Sequence, residues 1–400
     1  MHRQLLRMLV CLLAFLALVA VINLVVNPYG AWPVRLVDTT FQKVEVGMER
    51  METPYRVRTE QPTTVLLGTS RVLYGMWIDQ GYRADVLNAA LPGQSLDEAV
   101  ALIDLALRNP RLRRIIWSVE LIQFTEQMRG FRDAPTQTRL LGDTLLRVRE
   151  TLLSADALQA SGGLLLRRTA GRSSLPAERT LPIPWPPATL RAAFDEIETA
   201  PNGGGDSTGL DQHIRLWLKD YGHSRLAEGQ WDLFTRTIDR IRAAGIDLTL
   251  LAPPLNAFEL ETIRQGGQWP AFQAWKARLA TVSPYWDFSG YHELALRDEL
   301  FTFPIFCHFK PAVGHALLRR LLEGSCDDCG TTEHLIADAG VWVDSNTVQA
   351  HLEDLDAARL RVTRERPRSV QAVERIVDPA TARHDIQEAK GTTGGTVPHR

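Results

Sequence analysis

One serine in this sequence stands where a nucleophile could be placed. Ser70 follows a short apolar, β-branched run from Thr63 to Leu67 and the glycine at position 68. This pattern predicts a strand that leads into a tight turn and then a helix. A hydroxyl at such a turn is exposed, and backbone amides of the first helical turn can hold the oxyanion of an acyl-transfer intermediate. The structural alternative is that Ser70 only caps a helix.

A histidine late in the chain is the natural partner of that serine. His308 lies just before a predicted helix, in the segment Phe306-Cys-His-Phe-Lys-Pro311. A neutral imidazole within reach of the hydroxyl would act as a general base. The chain has ten histidines, so position alone also fits a surface or helix-capping role. Gly93 ends a neighbouring predicted strand, and its amide, with that of Ser70, is a candidate donor to the oxyanion.

The cysteines allow several readings. In an oxidising compartment, two of the three thiols Cys307, Cys326 and Cys329 are expected to form a structural disulfide. Cys326-Asp-Asp-Cys329 also fits a redox pair or half of a metal site, although it follows a predicted helix and not a strand. Cys307, beside His308, is a further candidate nucleophile. We expect neither a metal nor a cofactor.

The elements that would position these groups alternate between strand and helix. Strands are predicted at 63–67, 85–88, 114–119, 247–252 and 285–288. Alternation of this kind favours a parallel sheet with helices on both faces, whose site lies beyond the carboxyl ends of the strands. Ser70, Gly93, Glu120 and Pro253 all fall at such ends.

The amino terminus predicts a membrane anchor. Met8 to Val26 is apolar except for Asn23, and at about 1.5 Å per residue it spans close to the ~30 Å hydrocarbon core. His2, Arg3 and Arg7 precede it, so the positive-inside rule leaves the short end in the cytoplasm. We therefore expect a single-pass inner-membrane protein with its main domain in the periplasm or cell exterior. A cleaved signal peptide is the alternative, with a poor cleavage pattern before Asn27.

Composition indicates one large globular unit with appendages. The 400 residues are 45% hydrophobic and 23% charged, and a net charge of -2 gives no case for nucleic-acid binding. The expected division is an anchor at 1–27, a stalk at 28–62, an α/β domain at 63–330 with an irregular insertion at 131–209, a helical extension at 331–366 and a polar, disordered tail at 367–400.

Three short motifs resemble the SGNH hydrolase superfamily, in order and spacing, over roughly residues 20 to 360. Val65-Leu-Leu-Gly-Thr-Ser-Arg71 resembles its first block, and the Thr-Ser-Arg variant is similar to the membrane-anchored envelope branch that includes the alginate acetyltransferase group. Asn88-Ala-Ala-Leu-Pro-Gly93 resembles the second block. Asp287-Phe-Ser-Gly290 with His308-Phe-Lys-Pro-Ala-Val-Gly314 resembles the last. The resemblance implies a three-layer, flavodoxin-like parallel sheet, with Ser70 as nucleophile, His308 as base and Gly93 as oxyanion glycine.

Two positions depart from the family pattern. The family usually carries Asp three residues before the histidine, where this chain has Ile305. Asp287 and Glu299 are the candidates to orient the imidazole instead. The oxyanion asparagine of the third block is also not evident, since Glu120 and Gln123 are the polar residues there.

The resemblance implies acyl-ester chemistry in the cell envelope. The expected activity is that of a serine-dependent esterase or O-acyltransferase acting on an envelope glycan or a similar acylated substrate. The alternative is a catalytically degenerate relative that binds glycan or assembles an envelope complex. Trp117, Trp269, Trp275 and Trp286 are candidates for stacking on sugar rings, and tryptophan is equally common in cores.

Overall fold

The computed structural model of the protein describes residues 2–32, 49–76, 85–126, 144–169, 208–222, 225–302, 306–324, 330–364 and 368–377. Ile305, Cys326 and Cys329 lie outside the described residues, as do parts of the predicted stalk and insertion and the end of the tail.

Within the described residues, one six-stranded sheet forms the centre of the domain. Its strands are β1 (Thr64–Leu67), β2 (Val86–Asn88), β3 (Arg114–Ser118), β4 (Asp247–Ala252), β5 (Tyr285–Asp287) and β6 (Val341–Val343). The spatial order is β2-β1-β3-β4-β5-β6; the first five strands are parallel, and β6 pairs antiparallel with β5. The prediction of a largely parallel α/β sheet is confirmed, and the order of its parallel strands is a common doubly wound one.

Helices cover both faces of this sheet. Consecutive residues of β1 are all buried, and so are four of the five in β3, which is the pattern of strands enclosed on both sides. The helices are α1 (His2–Val26), α2 (Glu49–Glu60), α3 (Leu96–Ala106), α4 (Thr144–Leu152), α5 (Ala155–Thr169), α6 (Thr208–Tyr221), α7 (Glu228–Ala243), α8 (Ala257–Gln265), α9 (Trp269–Val282), α10 (Glu293–Leu296), α11 (Pro311–Glu323), α12 (Thr331–Ala339), α13 (Val348–Thr363) and α14 (Arg368–Val377).

Two glycines let the segment after Ser70 touch the helix after His308. A five-residue helical turn, Arg71–Gly75, follows the serine, and α11 crosses it at Gly314. A Cβ on Gly314 would lie 1.9 Å from the carbonyl oxygen of Gly75, and a Cβ on Gly75 would lie 2.3 Å from the Phe309 ring. Only glycine at both positions permits this approach, which holds the two chain segments at one edge of the sheet.

The structure shows regular elements within the segments predicted as stalk, insertion, extension and tail. Residues 49–60, expected as stalk, form α2, which is tied to α3 by the ion pair of Arg50 with Glu98 at 2.6 Å. Part of the irregular insertion folds into α4 and α5. The helical extension supplies β6, so it completes the sheet. The tail, expected to be disordered, includes α14, because Val370, Val373 and Ile376 recur at helical spacing and are buried.

The amino-terminal helix is long and apolar enough to cross a membrane. It has 25 residues, and its most apolar window has a mean hydropathy of 3.1 and is only 17% buried. A signal sequence would show the same features.

Substituting Gly314 tests the close approach of α11 to Gly75. We expect Gly314→Ala to destabilise the fold by about 1–3 kcal/mol, because the added methyl group has no space beside the Gly75 carbonyl. The matched control is Gly162→Ala in α5, where a Cβ meets nothing within 4 Å and alanine favours the helix. Thermal unfolding of the purified full chain, followed by circular dichroism, measures both. Equal melting temperatures for Gly314→Ala and wild type would contradict the packing described.

Candidate functional site

The structure brings Ser70 and His308 together. The hydroxyl oxygen of Ser70 lies 2.9 Å from Nε2 of His308, although 238 residues separate them in the chain. Ser70 has helical backbone angles and directly precedes the Arg71–Gly75 turn at the carboxyl end of β1. The contact is within the range in which a neutral imidazole can accept the hydroxyl proton.

Gln94 joins the loops that follow β1, β2 and β3. Its side-chain oxygen accepts a hydrogen bond from the Gly68 amide at 2.9 Å, and its backbone oxygen accepts one from the Gln123 side chain at 2.7 Å. Gly93, directly before it, has a φ of 57°, a left-handed conformation that favours glycine. The loop carrying Gly93 is therefore fixed to the turn carrying Ser70.

Arg71 is the centre of a buried charge cluster beside the serine. Its Nη1 pairs with Glu120, and its Nη2 donates to both oxygens of Glu259 at 2.6 and 2.7 Å. The Thr69 hydroxyl donates to the other oxygen of Glu120, and the Tyr221 hydroxyl donates to Glu259 at 2.6 Å. Glu120 thus occupies the region of the expected oxyanion asparagine, but its oxygens are bound to Thr69 and Arg71.

The charges in this cluster stabilise one another in a dry environment. Although burial opposes it, Glu120 and Glu259 raise the pKa of Arg71 above its ordinary value, so the guanidinium stays charged. Burial raises the pKa of Glu259, and Arg71 opposes that effect. The pKa of Tyr221 is raised well above its ordinary value by burial and by Glu259, so the phenol remains a donor.

Hydrogen bonds to two consecutive backbone carbonyls, those of Cys307 and His308, hold the histidine segment in place. Nε of Arg71 donates to the carbonyl of Cys307 at 2.8 Å, and the amide of Thr302 donates to the carbonyl of His308 at 2.9 Å. The Tyr74 ring meets the imidazole edge-on, with the centroids 5.4 Å apart. Arg71, directly after the serine, therefore also fixes the segment that carries the histidine.

Cys307 touches the imidazole without taking the place of a carboxylate. Its sulfur lies 3.1 Å from Nδ1 and 3.8 Å from Nε2 of His308. An acceptor in line with the Nδ1–H bond would lie roughly 2 Å farther from Nε2 than from Nδ1, because both nitrogens flank Cε1 and the Nδ1–H bond points away from Nε2. The sulfur therefore sits against the ring face.

The Cys307 thiol is free and stays neutral. It forms no disulfide in the structure, contrary to the prediction for this residue. Burial raises its pKa to about 12, so it lacks the thiolate character that a nucleophile needs. The disulfide and redox predictions for Cys326 and Cys329 concern residues outside the described part of the chain.

Neither candidate orienting acid reaches His308. Asp287 lies in a second buried cluster, where it pairs with Lys276, contacts Nε2 of His351 at 2.7 Å and accepts from Ser289. Both of its carboxylate oxygens are bound in this cluster. Glu299 is 63% exposed and pairs with Arg297 at 3.3 Å. Among the described residues, no carboxylate contacts Nδ1 of His308.

A second histidine, His213, lies near the cluster and stands in no motif that the sequence analysis could single out. It lies on α6, two turns before Tyr221, with its ring packed edge-on against Trp217 at 4.4 Å. Its Nε2 is buried and has no hydrogen-bond partner among the described residues. Burial and the charge of Arg71 lower its pKa to about 4, so at neutral pH the ring can still donate one hydrogen bond and accept another.

His308 is held in its neutral form. Burial, and then the charges of Arg71 and His213, lower its pKa to about 3. The imidazole is therefore free to accept a proton at neutral pH, but the imidazolium that results lacks a compensating carboxylate among the described residues. The arrangement can activate the serine hydroxyl by hydrogen bonding, as a dyad and not as a triad.

The tryptophans do not form a platform for sugar stacking. Trp117, Trp269 and Trp275 are at most 5% exposed and belong to the core. Trp286 is partly buried against Trp342 and Phe288. Of the two alternatives that the sequence left open for these tryptophans, core packing applies to the three buried rings.

Comparison with known proteins finds no relative of this chain. No protein-family model matches the chain, and no curated protein or solved structure shows significant similarity to it.

Replacing Arg71 by lysine tests whether it positions the histidine. We expect Arg71→Lys to slow covalent labelling of Ser70 by a fluorophosphonate probe on the order of 100-fold, because one ammonium cannot hold Glu120, Glu259 and the Cys307 carbonyl together. The control is Arg297→Lys, an exposed i,i+4 pair with Glu293, which should label like wild type. Circular dichroism checks that both variants fold. Wild-type labelling by a folded Arg71→Lys protein would contradict this role.

Proposed function

We propose that this protein is a membrane-anchored, serine-dependent acyl-ester hydrolase or O-acyltransferase of SGNH-hydrolase type. The observation that carries the proposal is the 2.9 Å contact between the Ser70 hydroxyl and Nε2 of His308 at the carboxyl end of the sheet. The strand order and the tied loops after β1, β2 and β3 support it, because they are where such a fold assembles a site.

The proposed chemistry begins with attack of the Ser70 oxygen on the acyl carbon. Nε2 of His308 takes the hydroxyl proton, and the backbone amides of Ser70 and Gly93 hold the oxyanion. The intermediate collapses by expelling the alcohol, which takes the proton back from the imidazolium. Water or a sugar hydroxyl then attacks the acyl-serine, with His308 again as base, which gives hydrolysis or transfer respectively.

The amino-terminal helix favours a substrate in the cell envelope. A helix of this length and hydropathy, preceded by His2, Arg3 and Arg7, fits an anchor in the inner membrane with the sheet domain on the exported side. We therefore propose an envelope glycan or another acylated envelope molecule as substrate. Transfer to a glycan hydroxyl is favoured slightly over hydrolysis by the resemblance to the anchored acetyltransferase branch.

One observation favours a second candidate function. Among the described residues no carboxylate stands behind Nδ1 of His308, and loss of that group reduces turnover strongly in serine–histidine–aspartate enzymes. A protein of this fold that binds glycan or assembles an envelope complex without turnover needs no such group. The two candidates differ in whether Ser70 becomes acylated.

Release of acetate from a small acetyl ester tests the proposed activity. We expect the full-length protein to release acetate, and Ser70→Ala to fall to the uncatalysed background because the acyl-serine cannot form. The matched control is Ser345→Ala, an exposed serine in the turn after β6, with wild-type activity expected. If Ser70→Ala and wild type release acetate equally, and neither is labelled by a fluorophosphonate, the binding function is favoured instead.

The acid limb of the pH profile tests the state of His308. Because burial lowers its pKa to about 3, the neutral base predominates above that value, and kcat/KM should be nearly constant between about pH 5 and 8. A carboxylate on Nδ1 would instead raise the pKa and cause the rate to fall below about pH 7. Circular dichroism over the same range separates acid unfolding from titration. A tenfold loss of kcat/KM for each pH unit below 6.5, with the fold intact, contradicts the assignment.

A further inference from the structure

The helices α4 and α5 form a hairpin that packs against the end of α1. The buried residues of α1 are Val19, Asn23 and Val26, which share one face at helical spacing. The Asn23 side chain donates to the carbonyl of Leu152 at 2.9 Å and accepts from the Ser161 hydroxyl at 2.8 Å. A polar side chain in an apolar helix is satisfied by both arms of the hairpin, so the pairing is specific.

The second arm of the hairpin runs back along α1 toward the membrane. Ala157 shares a small apolar cluster with Tyr29 and Ala31, which follow α1, whereas Ser161 contacts Asn23 inside α1. The contacts thus move toward the start of α1 as α5 advances. Since both helices rise equally per residue, the next turn of α5, residues 164–166, is expected at the level of the buried Val19, one turn before Asn23.

The exposed side chains of α5 change character along its length. Near its beginning the exposed residues include Asp156 and Gln159. Farther along, Leu165 at 39% and Leu166 at 71% are exposed, and Arg167 and Arg168 follow them in the sequence. The side of α1 that is not covered by protein is also apolar and exposed, as at Leu18 and Val21. Leucines followed by arginines fit a segment at the membrane interface, where the apolar side chains enter the acyl chains and the arginines extend to the headgroups.

The length of α1 leaves room for this contact at the membrane interface. Its 25 residues span about 37 Å, which exceeds the ~30 Å hydrocarbon core. The turns of α1 that contact the hairpin can therefore lie at the level of the headgroups and upper acyl chains. Trp32, just beyond α1, donates from Nε1 to Thr151 of α4 at 2.9 Å and stacks under Arg147, as residues of an interfacial belt do.

We propose that the α4–α5 hairpin is a lipid-binding element, with Leu165 and Leu166 inserted among the acyl chains of the exported-side leaflet and Asp156 and Gln159 in water. This inference rests on the proposed anchoring by α1. The partner is the bilayer itself, because the leucines continue the apolar surface of a helix that is already suited to it. The hairpin then prevents the domain from turning freely about its anchor.

Photo-crosslinking to lipid tests the proposal on the wild-type chain. The full-length protein is reconstituted in phosphatidylethanolamine/phosphatidylglycerol vesicles that contain a phospholipid with a diazirine in its acyl chain. After irradiation, adducts are mapped by peptide mass spectrometry. We expect adducts in α1 and at residues 164–166, but none at 155–159. Leu360, a 61% exposed leucine on α13, is the internal control and should carry no adduct.

The pattern of adducts separates the proposals. Absence of adducts from α1 would refute the anchoring, whereas adducts in α1 with none at residues 164–166 would overturn the lipid contact alone and show that protein covers these leucines. As a check on specificity, Leu165→Gln with Leu166→Gln should reduce α5 adducts at least fivefold and leave α1 labelling unchanged. Leu360→Gln should change neither.

Discussion

The guanidinium of Arg71 connects the parts of the site that the chain itself keeps far apart. It follows the serine directly, pairs with Glu120 after β3 and Glu259 on α8, and donates to the carbonyl beside His308. Only arginine offers this many donors in a planar, fixed arrangement. Because every one of these partners is buried or partly buried, the removal of any of them would leave an uncompensated polar group.

A buried charge cluster of this kind adds little to the free energy of unfolding, but it holds the segments that carry its members in fixed positions. Removing charges from water costs about as much as their attraction returns, so apolar residues of similar volume would give equal or greater stability. The cluster does fix the relation between the serine turn and the histidine segment. The distance between Ser70 and His308 thus depends on the hydrogen bond from Arg71, which follows the serine, to the carbonyl of Cys307, which precedes the histidine. It does not depend on a carboxylate that binds the imidazole.

The sheet could be predicted from the sequence because its signals are local, whereas the pairing of Ser70 with His308 was implied mainly by the resemblance of their motifs to a known family. Short β-branched runs that end in glycine or proline indicate strands, and parallel strands bring their carboxyl ends to one edge. The partners of Arg71 gave no such signal, since Glu120 and Glu259 lie 49 and 188 residues away. The expectation that Asp287 orients His308 failed for the same reason. The sequence shows a carboxylate at a strand end, but it does not show that Lys276 and His351 bind this carboxylate.

Tertiary packing orders two segments outside the predicted strands and helices of the sheet domain. Half of the ten α14 residues are apolar, and those on one face are buried beside α8. The α2 segment is rich in charge, and its structure depends on Tyr55, which is 1% exposed, and on Arg50. The α2 segment lacks the apolar content that would predict a packed helix from propensity alone.

The same α2 helix links the end of α1 to the proposed oxyanion loop. Tyr55 packs in one cluster with Tyr29 after α1 and Ala157 of the hairpin. One turn earlier, Arg50 donates to the carbonyl of Pro92 at 2.6 Å, directly beside Gly93. A rigid path therefore runs from the end of α1 through α2 to the loop of Gly93, and Gln94 continues it to the turn of Ser70. If α1 lies in a bilayer, the serine is held at a fixed height above it, and the substrate must present its acyl group at that height.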